Sequence, residues 1–369
     1  ADSMTRGQST RAHDGPAERL IRVMIVDDVK SARDLLADIF ATDPGFEVVA
    51  CVGDGLEAVQ KAFEVRPDLI TMDIRLPGLD GFLAVERILA EFTVPIVMIT
   101  ASHGEYEEKV TRALKLGALD VIEKQELYLW RTRPEIRTTL LRKLHILARA
   151  RVGQRHHRGV GSPLPSVVPS LPAGDKGEAP LRVVAIAAST GGPSALVTLF
   201  KQIPADVNAA FLVVQHMSLG FLDGLIHWLD HEVALTVRKA QDGDMLKRGV
   251  VLFAPEDYHL LVSEDGKARL NKSLPIAGHR PSAELLFKSI ATSFGRRGIG
   301  VILTGMGSDG AVGLKRLRER GGHTIAQNEV SSIIFGMPRA AIEQEAAEVV
   351  LSLEAIAPQL MNWMREWTQ

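Results

Sequence analysis

The chain has 369 residues, of which 46% are hydrophobic and 24% charged, with a formal net charge of −2. At roughly 100–200 residues per domain this is expected to be two domains, each with enough apolar material for its own core, and a mainly disordered chain is excluded. The near-neutral balance argues against a general polyanion binder, so no nucleic-acid partner is expected. A single cysteine, Cys51, excludes an intrachain disulfide and a Cys-based zinc site, and it fits a reducing, cytoplasmic location.

Residues 1–19 form a polar tail without the apolar core of a secretory signal. No apolar run approaches the ~20 residues of a spanning helix, so no membrane insertion is expected. From residue 20 short apolar runs alternate with amphipathic ones. Strands are predicted at 20–26, 46–52, 68–72, 95–100 and 119–122. Helices are predicted at 31–41, 56–65, 82–91, 105–116 and 132–150. Near-continuous apolar strands between amphipathic helices predict a parallel sheet covered on both faces, a (βα)5 doubly wound domain over residues 20–148. Residues 149–180 open with Arg149, Arg151, Arg155 and Arg158 and continue as a Pro- and Gly-rich stretch, which reads as an extended linker.

Alternation resumes over 181–369, the second domain. Strands are predicted at 181–188, 209–215 and 299–303, and helices at 193–202, 220–231, 281–294 and 311–320. Four short strands at 235–239, 250–254, 259–262 and 268–271 predict an antiparallel extension of a mainly parallel, Rossmann-like sheet. The whole chain is thus α/β with two domains.

In doubly wound sheets, chemistry collects outside the carboxyl ends of the strands. In the first half Asp27 and Asp28 end the first strand and Asp73 follows the third. Thr100 ends the fourth, and Lys124 follows the fifth. Any one strand-end aspartate can simply cap a turn or helix. Three converging carboxylates repel one another unless a cation joins them, and oxygen ligands suit Mg²⁺. A carboxylate beside Mg²⁺ can attack phosphorus, with a hydroxyl and an ammonium holding the phosphoryl oxygens.

With DD at 27–28, MDIRLPGLDG at 72–81, ITAS at 99–102 and Lys124 in this order, the first half resembles the receiver domain of two-component response regulators. The resemblance implies a flavodoxin-like fold with Asp73 as phosphoacceptor. Asp27, Asp28, Asp73 and the backbone carbonyl of Arg75 would hold Mg²⁺, and Thr100 and Lys124 would contact the phosphoryl group. The sequence departs from the receiver pattern at Gln125, where proline usually follows the lysine, and at Val121, where many receivers carry an aromatic residue.

In the second half the strand LRVVAIAA delivers Ser189 into Thr190-Gly191-Gly192-Pro193. A serine at a strand-to-helix turn presents its hydroxyl at the sheet edge, and glycines permit the tight turn. It reads as a nucleophile or as a capping or phosphate-binding serine. The next strand ends in Gln215-His216-Met217, where an imidazole can deprotonate the serine or serve as a hydrogen-bonded structural residue. A later strand runs into Met306-Gly307-Ser308-Asp309, and Asp309 can orient His216, cap the following helix, or both. His227 and His231 are four apart on a predicted helix, but Trp228 breaks the zinc pattern and a polar helix face is expected. His259 and His279 carry no role from sequence alone.

This half resembles the catalytic domain of the CheB family of chemotaxis methylesterases. The resemblance rests on AASTGGPSAL, VVQHM, FAPEDYHL, RPSAELLF, LTGMGSDGA and AQNEVSSIIFGMPRAAI, in order. It implies Ser189 as nucleophile, His216 as general base and Asp309 as its orienting acid. Met306 becomes a candidate oxyanion donor through its N–H, and Thr190, Gly191, Gly192 and Met217 line the site. It implies a phosphorylation-regulated protein-glutamate methylesterase and protein-glutamine glutaminase. Its substrates would be methyl-accepting chemotaxis receptors, its phosphodonor a histidine kinase, and the esterase would need no cofactor. The alternatives are a receiver-controlled serine hydrolase with another substrate and a non-catalytic signalling adaptor. A transcription factor is not expected, because the output half shows no helix-turn-helix pattern.

Overall fold

The computed structural model describes residues 19–100, 112, 113, 115–130, 133–150 and 180–366. The polar tail, most of the helix expected at 105–116 and most of the linker lie outside the described residues.

The first half contains β1 (Ile21–Val26), α1 (Lys30–Ala41), β2 (Phe46–Val52), α2 (Gly55–Val65), β3 (Leu69–Asp73), α3 (Gly81–Glu91), β4 (Ile96–Thr100), β5 (Asp120–Glu123), α4 (Lys124–Leu129) and α5 (Pro134–Ala148). The sheet order is β2-β1-β3-β4-β5, with every pair parallel. The sequence dictates this locally. Strands β3 and β4 are buried along their whole length, as strands covered on both faces must be. Asp54 and Asp80 cap α2 and α3 by accepting from backbone N–H groups of the first turn. The order reverses between β1 and β3, which opens a crevice at their carboxyl ends.

The second half contains β6 (Arg182–Ala188), α6 (Gly192–Phe200), β7 (Ala209–Gln215), α7 (Leu222–Glu232), β8 (Thr236–Lys239), β9 (Val250–Phe253), β10 (His259–Val262), β11 (Ala268–Asn271) and α8 (Ala283–Ser293). It continues with β12 (Gly298–Ile302), α9 (Ala311–Glu319), β13 (His323–Gln327), α10 (Met337–Glu343), β14 (Val349–Leu351) and α11 (Leu353–Glu366). Seven strands form one sheet in the order β14-β13-β12-β6-β7-β9-β8. Every pair in it is parallel.

The α/β class is borne out, but the expected antiparallel extension is corrected. β8 and β9 join the sheet in parallel, and only β10 and β11 pair antiparallel, as a separate two-stranded ribbon. Short strands carry the same residue pattern in either direction, so spacing alone misassigned them. The elements after residue 320 were not anticipated, nor was the short α4. β6 and β7 sit at the middle of the sheet and are buried at every residue. The chain order reverses around β6, which puts the second crevice at the ends of β12, β6 and β7.

Candidate active site and candidate phosphoacceptor pocket

The first crevice gathers the predicted acidic set. Asp27 and Asp73 are buried and Asp28 is exposed. One carboxylate oxygen from each lies within 4.8 Å of the others, the one such group of potential metal ligands among the described residues. Lys124 Nζ lies 2.8 Å from Oδ2 of both Asp27 and Asp73. It is aligned as a hydrogen bond only toward Asp73, so Asp27 Oδ2 stays buried without an aligned donor. Burial pushes the Asp73 carboxyl up to about 6; Lys124 opposes this by hydrogen bond and charge, and Asp27 adds to it. Burial lowers the Lys124 ammonium, but the carboxylates of Asp27 and Asp73 outweigh it and the net shift is upward.

Three hard-oxygen donors gathered within 4.8 Å fit a divalent cation such as Mg²⁺. A cleft of ≈ 600 Å³, bounded by Asp28, Arg75, Pro77, Asp80 and Arg112, opens beside them. Arg75 donates its N–H to Asp73 Oδ1 at 3.4 Å. Thr100 is buried at the end of β4. At the two departures from the receiver pattern, Val121 is buried in β5, and the chain enters α4 directly through Lys124 and Gln125. Sequence reasoning missed Arg33, whose guanidinium donates to the carbonyls of Asp27 (2.5 Å) and Asp28 (3.0 Å) and ties down the acidic turn.

The second crevice is built by register. β6 and β7 pair Ala188 with Gln215, so the next residues, Ser189 and His216, emerge side by side. The His216 N–H donates to the Ala188 carbonyl (2.9 Å). The Gln215 amide donates to the carbonyls of Ser189 (2.8 Å) and His216 (2.9 Å) and fixes both turns. Ser189 donates its N–H to the carbonyl of Thr304, in the neighbouring loop after β12 (3.1 Å). Gly191 adopts φ +78°, and a Cβ there would meet Ile333 at 2.9 Å, so the turn requires glycine twice over. Gly192 opens α6 against the Gln215 amide. Gly305 packs so closely on Ser189 that a Cβ would lie 2.7 Å from the serine Cβ.

Asp309 reaches the same point from β12. Its Oδ2 lies 2.9 Å from His216 Nε2, off the axis of an ideal hydrogen bond. It also accepts from Ser282 Oγ (2.7 Å), Ala283 N (2.7 Å) and Glu284 N (3.2 Å), so it caps α8 rather than the next helix in sequence. Burial raises its carboxyl, but His216, Ser282 and Ala283 overcome that and hold it below its ordinary value. With Nε2 facing Asp309, His216 Nδ1 is left buried with no hydrogen-bond partner among the described residues.

The Met306 N–H has no acceptor among the described residues, and Met217 is half-buried against the apolar core. His227 and His231 stay outside this site on α7, where His231 Nδ1 is 2.8 Å from the His227 carbonyl. His259 is buried, accepting at Nδ1 from Ser282 N (3.2 Å). The His279 ring stacks on His216.

The two halves meet beside this crevice. Thr190 donates its hydroxyl to Asp120 Oδ2 at the start of β5 (3.3 Å), and Lys143 holds the same oxygen at 2.6 Å. Ile334 of the second half joins the apolar cluster of Leu119, Ile122, Leu127 and Trp130, with Met306 and Ile333 packed against it. Lys115 pairs with Glu232 of α7 at 3.4 Å.

Both halves of the chain match known families. The family model described as CheB methylesterase matches residues 184–360, and that of the response regulator receiver domain matches residues 23–127. The protein-glutamate methylesterase/protein-glutamine glutaminase 2 of Anaeromyxobacter dehalogenans is 42% identical over 348 residues, covering 94% of this chain and 98% of that one. The protein-glutamate methylesterase/protein-glutamine glutaminase of Geobacillus kaustophilus is 37% identical, covering 94% of this chain and 100% of that one. The crystal structure of the Thermotoga maritima CheB methylesterase catalytic domain is 37% identical with a TM-score of 0.49, covering 50% of this chain and 99% of that one. Fold and matches together define a response regulator whose output domain is a hydrolase. The chain belongs to the CheB methylesterase family, with a receiver domain ahead of the esterase domain.

Proposed function

We propose that this protein hydrolyses γ-glutamyl methyl esters on the cytoplasmic helices of chemoreceptors, and deamidates glutamines there, under control of Asp73 phosphorylation. The observation that carries the reading is the convergence of Ser189, His216 and Asp309 from three adjacent parallel strands. Ser189 Oγ attacks the ester carbonyl carbon and its proton passes to His216 Nδ1. Asp309, anionic and held by three donors, faces the imidazolium at Nε2. The Met306 N–H stabilises the oxyanion. Collapse breaks the C–O bond, and methanol leaves with the proton from His216. Water, deprotonated by His216, then attacks the acyl-serine and frees glutamate. With an amide the same steps release ammonia. Thr190, Gly191, Gly192 and Met217 line the cleft.

In the receiver, Asp73 attacks the phosphorus of a histidine kinase's phosphohistidine, the P–N bond breaks and the kinase's imidazole leaves, while Thr100 and Lys124 contact the transferred oxygens. Asp27, Asp28, Asp73 and the Arg75 carbonyl would hold Mg²⁺, which supplies charge neutralisation to the phosphoryl group when bound. The unphosphorylated receiver covers the esterase cleft through Asp120 and the apolar cluster around Ile334. β5 connects the two events, with Asp120 at its start and Lys124 just past its end. A bias of a few kcal/mol suffices for such a switch. A cytoplasmic location follows from this substrate, and no helix among the described residues is long and apolar enough to cross a membrane.

The test is methanol release from a methyl-esterified receptor cytoplasmic fragment, with and without Mg²⁺ and a small-molecule phosphodonor. Ser189→Ala is expected to lose at least about 10³-fold of turnover. Asp73→Asn is expected to keep basal turnover and lose the stimulation. Full turnover in Ser189→Ala, or normal stimulation in Asp73→Asn, would remove the corresponding assignment.

A further inference from the structure

The geometry points to His279 as a positioning residue for His216, whose stacked ring fixes the plane of the base. This rests on the reading of His216 as the general base.

His279 lies in the loop between β11 and α8. Its N–H donates to the Ile276 carbonyl (2.9 Å), and the Ile276 N–H donates back to the His279 carbonyl (3.0 Å). Ala277 (φ +49°) and Gly278 (φ +86°) between them are both left-handed, the geometry of a tight two-residue turn. On the other side Arg280 pairs with Asp257 at 2.9 Å and donates to the Ser273 carbonyl at 3.2 Å. Two residues further on, Ser282 binds Asp309, the carboxylate that faces His216. The segment is therefore fixed at both ends, and one anchor is the site itself.

From that turn the His279 ring lies parallel to the His216 ring, with centroids 4.2 Å apart and planes at 9°. Among the described residues the His279 ring makes no hydrogen bond, and its one ring contact is His216. His216 thus has a carboxylate at one edge and an aromatic face on one side. Side-chain terminal torsions of histidine are broad, so a stacked neighbour restricts a rotation that the off-axis Asp309 contact alone leaves loose. When His216 takes the serine proton, an imidazolium forms over the π-face of His279. That is favourable against a neutral ring and repulsive against a second cation. Burial, then the His216 charge, lowers the affinity of His279 for a proton, against a raising effect of Asp309. Three titratable groups on the neighbouring segments are engaged elsewhere. Asp257 pairs with Arg280, Glu256 accepts the Gly220 N–H (2.6 Å), and His259 binds Ser282 N.

The experiment uses the full chain with Mg²⁺ and a small-molecule phosphodonor, and the Asp73 phosphorylation level is measured at each pH. Methanol release is compared for wild type, His279→Ala, His279→Phe and His216→Ala. His279→Ala is expected to lower kcat roughly tenfold with KM little changed, and His279→Phe to stay within about threefold of wild type. The acid limb of kcat/KM is expected to involve two protons in wild type and one in His279→Phe, a change that loss of packing alone would not produce. Wild-type kcat in His279→Ala, or an acid limb unchanged in His279→Phe, overturns the proposal. Should His279→Ala fail to fold, the acid limb of His279→Phe decides. Activity in His216→Ala overturns the underlying reading instead, so the two failures are distinguishable.

Discussion

Asp73 and Asp309 sit at matching places in the two halves. Each is a buried carboxylate beyond or at the end of a central parallel strand, and each faces one nitrogenous side chain at under 3 Å. Their electrostatics are opposite. Asp73 shares one ammonium with Asp27 and accepts one long backbone hydrogen bond, and burial lifts its carboxyl to about 6. Asp309 accepts from Ser282, Ala283 and Glu284 at the start of α8 and faces His216, and its carboxyl is held low. The first carboxylate is short of donors and suited to receive a cation and a phosphoryl group. The second is saturated with donors and suited to remain an anion that holds an imidazole. Strand ends supply the location; the number of donors decides the chemistry.

The strongest way to break this comparison is Asp309→Asn. The amide removes the charge opposite His216 and puts an NH2 donor in place of one oxygen, against either the Ala283 N–H or the Glu284 N–H. Turnover is expected to fall by about 10³–10⁴-fold with little change in KM. A loss below about tenfold in steady-state kinetics would show that Asp309 serves only as a helix cap.

A smaller effect is expected at the contact between the halves. Asp120→Ala removes the acceptor for the Thr190 hydroxyl beside Ser189. Basal turnover without phosphodonor is expected to rise about three- to tenfold, corresponding to roughly 1 kcal/mol of lost interface bias. Unchanged basal turnover, with phosphorylation intact, would mean that this contact does not restrain the cleft.

The smallest effect concerns stability. Asp73 binds its proton more tightly folded than unfolded, with values of about 6 against 3.8. Its ionisation therefore removes stability as pH rises from about 4 to 6, and the loss is complete above that window. In the presence of a chelator, Asp73→Asn is expected to be more stable than wild type at pH 7.5 by about 1–2 kcal/mol, with the difference vanishing near pH 4. Asp309 runs the other way, because its lowered value adds stability at neutral pH that is lost on acidification. Urea titrations across pH test the pair, and an Asp73→Asn variant less stable than wild type at pH 7.5 would contradict the account of that pocket.

The residue pattern by itself determined the two α/β halves and most of the groups at their strand ends. Contiguous apolar strands are local signals, and in parallel sheets the residues just past each strand land at the same edge. That logic reached Asp27, Asp28, Asp73, Thr100 and Lys124 in one crevice and Ser189, His216 and Asp309 in the other, before any distance was known. It failed where direction or partnership is set by remote chain. β8 and β9 read as antiparallel yet join the sheet in parallel, because four-residue strands carry no sign of direction. Asp309 caps α8, 26 residues earlier in the chain, rather than the helix beside it. Gln215, Thr304 and Gly305 hold the Ser189 turn by contacts that no spacing announces. His279 was one histidine among several until the fold stacked it on His216. Only the tertiary structure decided these, because a hydrogen-bond or ring partner is chosen by proximity in space, and periodicity describes only proximity along the chain.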